Sequence, residues 1–115
     1  MIRRIEAGKR ISQAVVHGPL VFLAGQVADD TSADVAGQTR EVLEKIDRLL
    51  AAAGSQKSSI LSATVYLSDM SNYAAMNSSW DAWVSPDHKP ARATVESRLA
   101  APEYGVEIVV IAALG

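Results

Sequence analysis

The sequence predicts an α+β domain in which two helices lie on one face of a mostly antiparallel sheet. Segments with the alternating pattern of strands outnumber those with the helical period, of which there are only two. The chain of 115 residues suits one domain, residues 1–115, and is too short for two. Because two helices cannot cover both faces of a sheet, we expect both on the same face.

The first predicted element is a hairpin built from residues 13–17 and 20–24. Both runs are short and largely apolar, and Gly18-Pro19 between them is typical of a turn. Gly25 is expected to end the second strand. Residues 2–6 are a candidate for one further short strand before the hairpin.

A first helix is predicted from about residue 34 to Ala53, after a polar loop at residues 29–34. Either Thr31 or Ser32 is expected to cap its N-terminus, and Gly54 is placed to cap its C-terminus. The apolar residues that fall on one stripe are Val35, Val42, Ile46, Leu49, Leu50 and Ala53.

The second half of the chain reads as strand, helix, strand and strand. Residues 60–67 favour a strand, and Asp69 or Ser71 is expected to cap a second helix that runs to about Val84. The predicted apolar stripe of this helix is Tyr73, Met76, Trp80 and either Trp83 or Val84. After a loop at residues 85–90, strands follow at residues 92–97 and 106–114, so the order is ββαβαββ.

The last strand is almost entirely apolar, which indicates that both of its faces are covered. Two helices can cover one face of the sheet, and no segment is left for the other. The simplest resolution is self-association through the uncovered faces, so we expect a homo-oligomer.

Composition excludes several classes of function. The chain has no cysteine, so it can form neither a disulfide nor a thiolate metal site, and it has no metal-type spacing of histidines. A net charge of −2 with scattered basic residues argues against a nucleic-acid partner on electrostatic grounds. No apolar run approaches the roughly 20 residues of a membrane span, and no secretory signal follows Met1. We therefore expect a cytoplasmic protein with no metal and no membrane partner.

Two charged residues stand out as candidates for chemistry. Arg92 opens a strand after Pro90-Ala91 and shares a face with Thr94 and Glu96 by alternation. It is either a surface arginine paired with Glu96 or a planar fork for a carboxylate ligand. Glu107 is the only charge within the last strand, and it is either an edge residue that reaches water or a functional carboxylate.

Five ordered segments resemble the Rid family, also called the YjgF or L-PSP endoribonuclease-like family. They are SQAV at residues 12–15, VFLAGQV at 21–27, QTREVLEKIDRLLAAAGS from residue 38, SSILSATVYLSDMSNYAAMNSSWDAWV at 58–84, and KPARATVE followed by VEIVVIAA near the end. The resemblance covers essentially the whole chain. The pair Trp80 and Trp83 suggests a paralogous branch of the family.

The resemblance implies a chorismate-mutase-like fold of the bacillary type, assembled as a homotrimeric barrel with three sites between subunits. It also implies hydrolysis of reactive 2-imino and 2-enamino acids to 2-oxo acids and ammonia, without a cofactor because the imine is already activated. The family's substrate-binding arginine matches Arg92, and the glutamate that positions the attacking water matches Glu107. The helix asparagine matches Asn77, the glycine facing the site matches Gly25, and backbone groups near Gly25 or Ala93 are expected to orient the substrate.

Three positions depart from the family's pattern. Ile11 stands for a tyrosine, Ala24 for a serine and Thr94 for a cysteine. The first two changes remove hydroxyl groups from the expected substrate-binding site, so substrate choice should differ from that of the core family. Three function classes therefore stay open: an imine deaminase, a protein that binds or senses small carboxylates without turnover, and, less favoured, an endoribonuclease.

Overall fold

The computed structural model describes all 115 residues and contains six strands, two α-helices and two short 3₁₀ turns. The elements are β1 (Ile2–Ala7), β2 (Ser12–His17), β3 (Leu20–Leu23), α1 (Val35–Ala53), β4 (Ile60–Leu67), α2 (Tyr73–Trp83), β5 (Ala91–Glu96) and β6 (Val106–Ala113). The 3₁₀ turns are Lys57–Ser59 and Met70–Asn72. The α+β fold is confirmed, and the candidate strand at the start of the chain is β1.

The six strands form one sheet in the order β1-β2-β3-β6-β4-β5. Four of the neighbouring pairs are antiparallel, while β4 and β5 run parallel. The parallel pair requires a crossover, which α2 provides. Because β6 lies between β3 and β4 in the middle of the sheet, it is apolar along nearly its whole length.

Capping groups define the limits of α1. The Asp34 carboxylate accepts a hydrogen bond from the Gly37 backbone N–H at 2.8 Å, so the cap predicted at Thr31 or Ser32 was placed too early. At the other end Gly54 adopts a left-handed conformation with φ 88°, which confirms the predicted C-terminal cap. Neither α1 nor α2 is long and apolar enough to cross a membrane.

The start of α2 differs from the sequence-based prediction. The Asp69 carboxylate accepts from the Ser71 backbone N–H at 2.9 Å, but this bond caps the 3₁₀ turn that precedes the helix. Tyr73, predicted to be a core residue, is 43% exposed, whereas Met76 and Trp80 are buried. Tyr73 therefore begins the helix at the surface, where its phenol is free to act in a site.

Both helices pack on the same face of the sheet, as predicted. On β6 the residues that face them are Val106, Ile108, Val110 and Ala112, all buried, and they join the α1 stripe in one core. The other face has no covering element within the chain. Its apolar side chains stay accessible, with Phe22 and Val95 each 40% exposed.

Gln38 ties the loops at one end of the molecule to α1. Its side-chain nitrogen donates to the carbonyls of Ala33 and Glu103, at 3.1 and 3.2 Å, and its oxygen accepts from Gly105 N–H at 2.9 Å. The residue is 3% exposed, so these bonds are not replaced by water when they are lost. Gln38 therefore positions the turn that leads into β6.

Gln38→Leu is expected to lower the free energy of unfolding by about 2–4 kcal/mol, because it leaves buried backbone groups without partners. Urea unfolding monitored by circular dichroism measures the loss. The matched control is Gln56→Leu, at an exposed glutamine with no side-chain hydrogen bond, which should change stability by no more than about 0.5 kcal/mol. Equal effects of the two substitutions would contradict a structural role for Gln38.

Candidate functional site

Arg92 lies on the edge strand β5, on the side of the sheet that the helices cover. It pairs with Ala63 of β4, which in turn pairs with Val110 of β6, and both of these neighbours are buried beneath the helices. Paired residues on adjacent strands point to the same face, so the guanidinium is directed at α2. Thr94 follows on the same face, as alternation predicted.

Every partner of the Arg92 guanidinium is electrically neutral. Nη1 donates to the Asn77 side-chain oxygen at 2.9 Å and lies 3.8 Å from the Met76 sulfur, and Nη2 donates to the Tyr73 hydroxyl at 3.3 Å. The guanidinium carbon lies 5.0 Å from the Trp80 ring centroid and 5.9 Å from that of Tyr73. These contacts fix the orientation of the cation and leave its charge uncompensated.

The predicted alternative, a surface pair with Glu96, does not form. The Glu96 carboxylate instead accepts a hydrogen bond from the Met70 backbone N–H at 2.8 Å. The ion pairs of the chain join Lys45 to Asp29 and Glu41, and Arg48 to Glu6, so none involves Arg92. A partly buried arginine that is held in place without a carboxylate is suited to bind an anionic ligand.

Tyr73 is affected electrostatically by the same cluster. Its pKa is lowered from the usual value, first by a hydrogen bond from the Asn77 side chain and then by the positive charge of Arg92. Asp81 acts in the opposite direction, and the net effect is still a lowered pKa. The phenol is therefore a better hydrogen-bond donor than an isolated tyrosine.

Glu107 lies on the opposite, open face of the sheet. It pairs with Tyr66, and its alternation with the buried Val106 and Ile108 directs it away from the helices. Its carboxylate makes no hydrogen bond or ion pair within 4.0 Å, and it borders a hollow of about 260 Å³. The residues that line this hollow are Tyr66, Ser97, Arg98, Leu99, Ala100, Glu107 and Val109.

Gly25 lies directly against the Glu107 side chain. A Cβ atom added at Gly25 would lie 2.9 Å from the Glu107 carboxyl carbon and closer still to Oε2. Real Cβ atoms do not make contacts this short, so the glycine is what allows the carboxylate its present position. Gly25 and Glu107, two of the predicted site residues, therefore lie next to each other.

The segment that carries Gly25 is held by a residue that the sequence did not single out. Gln26 is 5% exposed, and its side chain donates to the Gln13 side chain at 2.9 Å and to the Ala24 carbonyl at 3.1 Å. Its backbone exchanges hydrogen bonds with Ile108, beside Glu107. The sequence did offer a signal for Gln26, because it is a polar residue directly after a glycine predicted to lie in the site.

Within one protomer, the predicted site residues fall into two groups on opposite sides of the sheet. We call Arg92, Asn77 and Thr94 the arginine half-site and Ala24, Gly25 and Glu107 the glutamate half-site. Ala24 belongs to the glutamate half-site because it directly precedes Gly25 in the chain. Its backbone N–H donates to the Gln13 carbonyl. The structure of a single chain therefore brings together the members of each half-site, but it does not bring Arg92 to Glu107.

The remaining predicted site residues occupy the margins of these groups. Ile11 is 56% exposed in the turn before β2, and Ala93 is exposed on the edge strand β5. The Thr94 hydroxyl is buried and has no hydrogen-bond partner, so a polar group beside Arg92 is still able to bond. No three histidine, aspartate or glutamate side chains converge to hold a metal ion.

Fold and site together define a small α+β protein with an unpaired arginine and an unpaired glutamate. The family model described as endoribonuclease L-PSP matches residues 1–114. A RutC family protein of Haemophilus ducreyi is 46% identical over 114 residues, which are 99% of this chain and 97% of that relative. The RutC family protein YoaB of Escherichia coli is 45% identical over 113 residues, 98% of each chain.

A solved structure agrees with these sequence relatives. The YjgF-family protein of Neisseria meningitidis superposes with a TM-score of 0.98 at 47% identity, covering 100% of this chain and 96% of that one. The chain belongs to the YjgF family, also described as the endoribonuclease L-PSP family, and the resemblance inferred from its sequence motifs is confirmed.

Proposed function

We propose that the protein is a cofactor-independent deaminase of small 2-imino acids, which it hydrolyses to 2-oxo acids and ammonia. The observation that carries the proposal is the state of Arg92, a partly buried cation held by Asn77, Tyr73 and Trp80 without any carboxylate partner. A ligand carboxylate would supply the missing charge through two parallel hydrogen bonds. Such a bond pair fixes the adjacent C2 atom for attack.

The hydrolysis needs one base that can also return a proton. In the proposed reaction Glu107 takes a proton from water while the water oxygen bonds to C2 of the imine. The proton then passes to the nitrogen, which gives a carbinolamine. In a second transfer Glu107 moves the proton of the carbinolamine hydroxyl to the nitrogen as the C–N bond breaks, so that ammonia leaves and the C2 carbonyl forms. Glu107 suits this role because its carboxylate makes no ion pair within the chain.

The proposed site is composite, because the arginine and glutamate half-sites lie on opposite faces of one sheet. Both belong to the same site only if one protomer supplies Arg92 and a neighbour supplies Glu107. A closed ring joins unlike patches of successive subunits in this way. We propose a homotrimer with three such sites, formed as the open apolar faces, with Phe22 and Val95 exposed, pack together.

Light scattering and sedimentation equilibrium test the assembly. We expect three times the mass of the 12.2 kDa chain at micromolar concentration. Phe22→Glu, which places a charge on the open face, should shift the protein toward monomers because burying an unpaired charge is costly. Met70→Glu is the comparison, because Met70 is an exposed apolar residue in the 3₁₀ turn outside the sheet, and it should leave the mass unchanged. A stable wild-type monomer would rule out the composite site.

The activity is tested with imines generated in situ by an amino-acid oxidase. Release of 2-oxo acid is measured while semicarbazide competes for the imine, so that enzymatic hydrolysis appears as a loss of semicarbazone. We expect the wild-type protein to reduce semicarbazone formation and Arg92→Met to have no effect on it. Identical rates with wild-type protein, Arg92→Met and buffer would exclude the deaminase function.

A second candidate function, binding of small carboxylates without turnover, is favoured by Ile11 and Ala24. Neither residue supplies a hydroxyl, so the glutamate half-site has few groups that hold a water molecule. This function would be established if calorimetry detects 2-oxo acid binding that is lost in Arg92→Met, while the protein leaves imine lifetimes unchanged.

RNA cleavage, which the family description names, is less favoured because the net charge is −2 and the basic residues are scattered.

A further inference from the structure

Tyr73 has chemical capacity that the proposed function does not use. It is the first residue of α2, it is 43% exposed, and its hydroxyl lies 3.3 Å from Nη2 of Arg92. The hydroxyl accepts hydrogen bonds from the Arg92 guanidinium and from the Asn77 side chain, and no acceptor in the chain takes its own proton. A ligand carboxylate bound by Arg92 would therefore lie next to a free O–H donor.

The position of this donor determines which ligand atom it reaches. Asn77 occupies Nη1 of Arg92, while Tyr73 approaches the guanidinium at Nη2. A carboxylate bound at Nη2 would lie against the phenol, which would put the atom bonded to C2 within reach of the phenolic O–H. Plain carboxylic acids have no acceptor at C2, whereas 2-oxo acids and neutral 2-imino acids have one.

We propose that Tyr73 determines specificity by donating its phenolic O–H to the oxygen or nitrogen at C2 of a 2-oxo or 2-imino acid whose carboxylate Arg92 holds. The inference rests on the proposed function, since it assumes that Arg92 binds the ligand carboxylate. It adds a selection rule, which is that the site prefers acids with an acceptor at C2 over otherwise identical acids without one. An unsatisfied donor opposite a CH₂ group is the physical origin of that preference.

The test compares 2-oxobutyrate with butyrate, two acids that differ only at C2. Affinities are measured by calorimetric or NMR titration of the full-length protein. We expect wild-type protein to prefer 2-oxobutyrate, and Tyr73→Phe to weaken 2-oxobutyrate binding about fivefold while leaving butyrate unchanged. Phenylalanine keeps the ring against Arg92 and removes only the hydroxyl. Tyr104→Phe is the control, since the Tyr104 side chain makes no hydrogen bond.

The outcomes separate this inference from the function on which it rests. Equal loss for both acids in Tyr73→Phe, or no loss for either, overturns the selection rule while carboxylate binding stands. Failure of the wild-type protein to bind either acid overturns the proposed function itself.

A second readout is the pH dependence of the preference for 2-oxobutyrate. Arg92 and Asp81 are the charged residues that affect the pKa of Tyr73. Because the pKa of Tyr73 is lowered, the preference for 2-oxobutyrate should disappear as the pH rises through it, and Tyr73→Phe should show no such change.

Discussion

Arg92→Met is expected to weaken the binding of 2-oxobutyrate by about 100-fold. A bidentate pair between guanidinium and carboxylate consists of two charge-assisted hydrogen bonds, and its loss costs about 3 kcal/mol. The substitution should leave the fold intact, because Asn77 and Tyr73 can both bond to water once the guanidinium is gone. Methionine also retains apolar contact with Met76 and Trp80, so the change in stability should stay within about 1 kcal/mol.

Two further variants distinguish charge from geometry at this position. Arg92→Lys keeps the cation but loses the planar fork, so its affinity should lie between those of the wild type and Arg92→Met. Arg40→Met removes an exposed arginine on α1 that makes no ion pair, and it should bind as the wild type does. Calorimetry measures the affinity of Arg92→Met, Arg92→Lys and Arg40→Met for 2-oxobutyrate. Binding by Arg92→Met that matches the wild type would show that the carboxylate is held elsewhere.

Much of the fold was predictable because its elements have clear local signals. The stripe from Val42 to Ala53 fixed α1, Gly54 marked its end, and the alternation at residues 60–67 matched β4. The apolar character of β6, broken only by Glu107, predicted that both of its faces are covered; α1 and α2 cover one, and cover of the other stays a prediction. Each of these inferences depends on side-chain spacing alone, which the sequence states directly.

Other features depended on contacts that spacing does not encode. The parallel pairing of β4 and β5 follows from the path of α2 and cannot be derived from either strand alone. The cap of α1 was placed too early because Thr31, Ser32 and Asp34 are all good capping residues. Only the path of the loop selects Asp34 among them.

The sequence suggested individual candidate site residues, but it did not predict how they are arranged. Arg92 and Glu107 were singled out as unusual charges, and the structure leaves both without an ion pair, yet their opposite faces follow from the register through Ala63 and Tyr66. Tyr73 was assigned to the core because it fits the helical period. The register of α2 against β5 turns it toward Arg92 instead, and that register is set by tertiary packing.

The second large effect is expected at the glutamate half-site. Glu107→Gln should lower the rate of imine hydrolysis by about 100-fold, the lower end of what a positioned general base contributes. Affinity for 2-oxobutyrate should stay near the wild-type value, because Arg92 holds the carboxylate and glutamine keeps the shape of glutamate. The semicarbazone competition assay gives the rate, and calorimetry gives the affinity.

Gly25→Ala tests the same carboxylate without changing it. The added Cβ would lie 2.9 Å from the Glu107 carboxyl carbon, so the Glu107 side chain must rotate away from residue 25. We expect a loss of turnover similar to that of Glu107→Gln. Gly8→Ala is the matched control, because its new Cβ would lie 3.7 Å from the nearest atom, the Ile11 carbonyl oxygen. Neither glycine has a positive φ, so backbone strain does not separate the two substitutions.

Combining Gly25→Ala with Glu107→Gln shows whether both substitutions act on one group. If Gly25 matters only because it positions the Glu107 carboxylate, the double variant should be no slower than Glu107→Gln alone. Losses that multiply would mean that Gly25 contributes separately, for example through backbone groups that contact the substrate. Full turnover in Glu107→Gln, with binding at Arg92 intact, would exclude Glu107 as the base and leave only the carboxylate-binding half of the proposal.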